Sequence, residues 1–160
     1  MPGVVKWSQV GGISGPIKPK GMIQMLKVIM GHKGTGKTKD IIDLVKKAAE
    51  EENGAIVCME KGDALKYDIP YSVRLVEAPS ECTGNVEFLK GMICGMLASN
   101  YDLSHIFMDG LLRIVGELSD VNLEKFLDWT DKFSDKNNVK VTITISSDAD
   151  LASAGVKKYC

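Results

Sequence analysis

Residues 31–38, GHKGTGKT, bring three glycines, two lysines and a closing threonine into the spacing G-x-x-x-x-G-K-[ST]. That spacing suits the grip of a polyphosphate. Gly31, Gly34 and Gly36 tolerate backbone angles and close approaches that a β-carbon would obstruct. The N–H groups of the loop, those of His32, Lys33 and Thr35 included, can then curl into an anion-binding nest. The N-terminus of the following helix adds its own free donors and the positive end of its dipole. Lys37 is expected to reach the β- and γ-phosphates, and the Thr38 hydroxyl to ligate Mg²⁺. Lys33 is one residue out of register for the second lysine of the deviant loops that use two. His32 is expected to do no more than expose its side chain.

A metal beside a polyphosphate needs a carboxylate at the C-terminal end of a neighbouring buried strand. Asp109 fits, because it follows the apolar residues Ile106, Phe107 and Met108 and precedes Gly110. It is the expected Walker-B acid. A catalytic glutamate often follows such an aspartate directly, but here that place is Gly110. Glu60, at the end of another strand, is the next candidate to orient or deprotonate a water; an exposed turn acid or a partner for Lys61 is the alternative. Ser146 and Ser147 end a further strand, expected between the other two. A hydroxyl there would sense a γ-phosphate or cap the next helix. Arg113 could serve a neighbouring protomer as an arginine finger.

The surrounding pattern supplies strands and helices to hold these groups. Met25–Met30 is a short apolar run. The stretch from Thr38 to Glu52 places Ile41, Leu44, Val45, Ala48 and Ala49 on one helical face, with Asn53-Gly54 as the stop. Residues 55–59, 72–78, 103–109 and 139–146 read as strands. Residues 86–97 and 119–137 read as helices, the latter burying Phe126, Leu127, Thr130 and Phe133, and 148–159 as a short terminal helix. Gly91 and Gly95 are expected to serve close helix–sheet packing. The alternation implies an α/β fold: a three-layer, doubly wound, mostly parallel sheet of about five strands.

The chain has 160 residues, enough for one domain with a real core. Residues 22–160 are read as that domain. Residues 1–21 are an N-terminal arm holding three of the five prolines and five of the sixteen glycines, with Val4 to Trp7 as a possible edge strand. The arm reads as a cloning remnant or mis-assigned start (Met22 would serve equally well), with a docked functional arm as the alternative. The net charge of −1 provides no global field for nucleic acid, which makes such a partner unexpected. The four cysteines have no metal-ligand spacing, and Cys58 and Cys94 read as buried small hydrophobes. No apolar run reaches membrane-spanning length, so no membrane partner is expected and a reducing cytoplasm is the default location.

Four segments, MLKVIMGHKGTGKTKDIIDLV, IVCMEKGDALKYDI, YDLSHIFMDGLLRI and KVTITISSDADL with the later VKKY, together resemble a family of short P-loop proteins of Gram-positive bacteria. Its members are usually labelled ATP-binding or hypothetical, and some twitching-motility protein. The likeness covers residues 25–159 and implies a RecA-like ATP-binding fold of undefined cellular role. IVCMEKGDAL also resembles the RecA strand that ends in a catalytic glutamate, which supports Glu60. Retraction motors carry a separate N-terminal domain and further acidic and histidine boxes that this chain is not expected to hold. The leading expectation is a Mg²⁺-dependent ATP-binding protein with slow ATPase or switch activity, acting alone, as a homo-oligomer or with an activating protein partner. A small nucleoside or nucleotide kinase and a non-hydrolysing nucleotide-binding module are the alternatives.

Overall fold

The computed structural model describes residues 23–160. The arm assigned to residues 1–21, its edge strand at 4–7 and the alternative start at Met22 lie outside the described residues.

Among the described residues, five strands form one sheet: β1 (Leu26–Gly31), β2 (Ala55–Glu60), β3 (Arg74–Glu77), β4 (Leu103–Asp109) and β5 (Lys140–Ser146). Their order is β1-β5-β4-β2-β3, and every pairing is parallel. β5 therefore lies between β1 and β4, as expected. The helices are α1 (Lys37–Glu51), α2 (Val86–Ser99), α3 (Leu111–Val115), α4 (Asp120–Asn137) and α5 (Ala154–Lys157).

Side chains alternate across a strand, and that period of two divides the core into two layers. On one face, Ile41, Val45 and Ala48 of α1 pack on Ile56, Cys58 and Phe107, with Leu65 and Val73 closing the cluster. On the other face, Leu89 and Ile93 of α2 and Leu123, Phe126 and Leu127 of α4 cover Val57, Met59, Ile106, Met108, Val141, Ile143 and Ile145. Each fully buried Leu, Ile or Phe contributes roughly 1.5–3 kcal/mol relative to exposure. Helices on both faces explain why the central strands read as apolar runs. Among the described residues, no helix is long and apolar enough to cross a membrane.

Several local expectations need correction. Among the described residues, Gly91 and Gly95 do not serve close packing: a β-carbon at either would meet nothing within 4 Å. Cys94, on the same outward side of α2, is exposed, whereas Cys58 is buried as expected. Because α2 is apolar nearly all round, its pattern did not reveal which side is covered. Gly54 is not a left-handed helix stop. It is needed because a β-carbon there would stand 2.5 Å from the Asp102 carbonyl oxygen. The third strand spans only Arg74–Glu77, and the short helix α3 went unread because LLRIV suits a strand equally well.

Candidate functional site

The same alternation that builds the core brings the polar residues together. On β4, Asp109 falls on the α1 face, two residues beyond Phe107. On β2, Glu60 falls there two beyond Cys58, and on β5, Thr144 falls there because Ile143 and Ile145 face the other way. All three stand at or near the C-terminal edge of the sheet, where ligand crevices of open α/β sheets lie.

The loop from Gly31 to Thr38 joins β1 to α1 at this edge. Gly34 and Gly36 have φ of 89° and 87°, in the left-handed region that favours glycine. Gly31 is needed for another reason, since a β-carbon would come within 2.6 Å of Thr35 Oγ1. Gly36 is the N-cap of α1, and among the described residues no side chain makes the cap hydrogen bond there. The first-turn amides are thus left for a ligand or water. Lys37 is buried, and its Nζ donates to the His32 carbonyl oxygen at 2.7 Å and lies 3.4 Å from Thr35 Oγ1. Lys33 is exposed, and His32 Nε2 lies 3.6 Å from Asp148.

Thr38 Oγ1 donates to Asp109 Oδ2 across 3.4 Å, linking α1 to β4. The other carboxylate oxygen, Oδ1, accepts from Thr144 Oγ1 at 2.7 Å, and Thr144 Oγ1 in turn accepts from the Gly110 N–H at 2.8 Å. Asp109 is thereby fixed in orientation and almost fully buried, at 2% exposure. The Arg113 guanidinium approaches the same Oδ2 at 3.4 Å. Lys33, Lys37, Thr38, Asp109, Arg113 and Thr144, with Ser146 at the end of β5, line one cleft of about 510 Å³.

A threonine hydroxyl and one aspartate oxygen are hard donors, suited to Mg²⁺ that keeps several waters or shares a ligand's oxygens. Among the described residues no group of three or more His, Cys, Asp or Glu forms a self-sufficient metal cage. Thr38 and Asp109 would fill part of an octahedral shell and leave the rest to water or to a ligand's oxygens.

Glu60 pairs with Asp109 in the β2–β4 register, but its Oε1 accepts from the Leu65 N–H at 2.9 Å. It is 1% exposed and is not one of the residues lining the cleft. Burial, with a smaller contribution from the nearby Asp109 charge, raises its pKa above the usual carboxylate value. Glu60 is therefore not an exposed turn acid, and the partner found for its carboxylate is the Leu65 N–H and not Lys61. Ser147 contributes its backbone, donating to the Gly31 carbonyl oxygen at 3.1 Å.

Two residues of this constellation were not read from the sequence in their observed roles. Thr144 belongs to VTITIS, whose alternation signals a polar face without saying which neighbour it meets. Arg113, expected to serve a neighbouring protomer, sits four residues from Asp109 and beside it in its own chain. Compared with known proteins, the chain matches no family model, and no curated protein matches it.

Proposed function

We propose that the chain is a P-loop protein of RecA-like type that binds a nucleoside triphosphate, ATP foremost, together with Mg²⁺, and turns it over slowly or uses it as a switch. One observation carries this reading: Lys37, Thr38 and Asp109 converge on a single cleft at an uncapped helix N-terminus, beside a loop with two left-handed glycines. Loop amides and Lys37 would neutralise phosphate charge, while Thr38 and Asp109 would hold the cation. Mg²⁺, when bound, supplies Lewis-acid neutralisation of the phosphoryl oxygens. The chain's own part is to orient the triphosphate and to fix Asp109 through Thr144.

The engagement of Glu60 with Leu65 favours the slow end of this range. A general base must reach the water it activates, and here one carboxylate oxygen already accepts a backbone N–H. Its raised pKa suits a base, so Glu60 retains that assignment within the proposal. The test is incubation with Mg·ATP, with and without a panel of nucleosides, following phosphate release and acceptor phosphorylation. Release slower than about one per second, abolished in Asp109→Asn, is expected. Acceptor phosphorylation would replace this reading with a kinase.

A further inference from the structure

Two donors share the single oxygen Asp109 Oδ2. Thr38 Oγ1 and an Arg113 guanidinium nitrogen each lie 3.4 Å from it, while Oδ1 is occupied by Thr144 at 2.7 Å. The Asp109 side chain is 3% exposed and that of Arg113 is 57% exposed. A buried carboxylate needs a compensating charge. Arg113, anchored in solvent and tethered to a five-residue helix, can leave without opening the core.

Gly110 makes this arrangement possible. Its φ is +75°, and a β-carbon there would stand 2.5 Å from Arg113 Nε. The residue that replaces the expected catalytic glutamate thus opens the space in which the guanidinium lies. Arg113 also lines the cleft that holds Lys37 and Thr38. A planar guanidinium released within that cleft is a natural bidentate donor to phosphate.

We propose that Arg113 is an exchangeable counter-ion of Asp109. A divalent cation taking Oδ2 and Thr38 displaces it, and the freed guanidinium then binds the polyphosphate in the same cleft. This rests on the nucleotide-binding reading above. It assigns to Arg113 a role within its own chain and couples arrival of the cation to completion of the phosphate site.

The test uses the full chain and two variants, Arg113→Ala and Arg113→Lys, with folding checked by circular dichroism. Mn²⁺ binding without nucleotide is read from the electron paramagnetic resonance of the free ion, and Mg·ATP binding from calorimetry. Arg113→Ala should bind Mn²⁺ about fivefold more tightly, the scale of a half-exposed ion pair. It should bind Mg·ATP more weakly, by a factor on the order of ten. Arg113→Lys, which keeps the charge, should return the Mn²⁺ affinity toward that of the unaltered chain. Unchanged Mn²⁺ affinity in Arg113→Ala, or equal Mn²⁺ affinities for the two variants, overturns the counter-ion role. Equal Mg·ATP isotherms for Arg113→Ala and the unaltered chain overturn the phosphate role alone. No heat with Mg·ATP from the folded unaltered chain removes the nucleotide site itself, and the proposal with it.

Discussion

Within the loop, two lysines four residues apart have different surroundings. Lys37 is 7% exposed and bonded across the loop, whereas Lys33 is exposed at the cleft's lining. Lys37→Ala should therefore reduce Mg·ATP affinity by a factor on the order of a hundred or more, as expected for loss of a buried charge facing phosphate, and Lys33→Ala by much less. Equal losses would overturn the division of roles. Thr144→Val should be felt in stability before function. It strips Asp109 Oδ1 of a donor and leaves the Gly110 N–H without its acceptor. Each such group left unsatisfied costs about 1–3 kcal/mol, so the urea midpoint should fall clearly. A midpoint equal to that of the unaltered chain would mean that another partner holds Asp109.

At the opposite edge of the sheet, His105 ties three elements together. Its Nδ1 lies 2.9 Å from Glu52 Oε2 just past α1, and its Nε2 lies 2.9 Å from Thr142 Oγ1 on β5. With the proton on Nδ1, the imidazole donates to the carboxylate and accepts from the threonine. Burial lowers its pKa below the ordinary histidine value, outweighing the opposing Glu52 contact. The folded state then binds this proton less readily than the unfolded state does. The contribution is present above about pH 6.5 and is lost as pH falls through the lower folded value. Urea midpoints for the unaltered chain should drop between pH 7.5 and 5, and drop less in His105→Asn. A larger drop in the variant would contradict the sign. On the outer side of α2, Gly91→Ala and Gly95→Ala should each stabilise by roughly 0.5–1 kcal/mol, because helix propensity is gained in open space. Destabilisation there would mean that something covers the helix. The elements that were legible share one property: strong contrast between faces or ends, as in α1, α4 and the apolar strands. Where contrast was missing, as around the all-apolar α2 or along the five residues of α3, the pattern held no information about which side is buried. The pairing of Thr144 with Asp109 is a contact between strands 35 residues apart, and only the sheet order brings it about.

Across the described residues, five parallel strands point their C-terminal ends at one edge, and the loop, Asp109 and Thr144 meet there because three strands and one helix converge. That edge is the part of the sequence most easily read, since the glycine-lysine spacing and the apolar run ending in an acid are local signals. The near-neutral charge of −1 leaves local geometry, not a global field, to attract an anion. The most direct measurement is therefore a calorimetric titration of the folded chain with Mg·ATP, run beside Lys37→Ala. Saturable heat from the unaltered chain that disappears in Lys37→Ala is the predicted result. A flat trace for both proteins, with circular dichroism showing each to be folded, would contradict the nucleotide site.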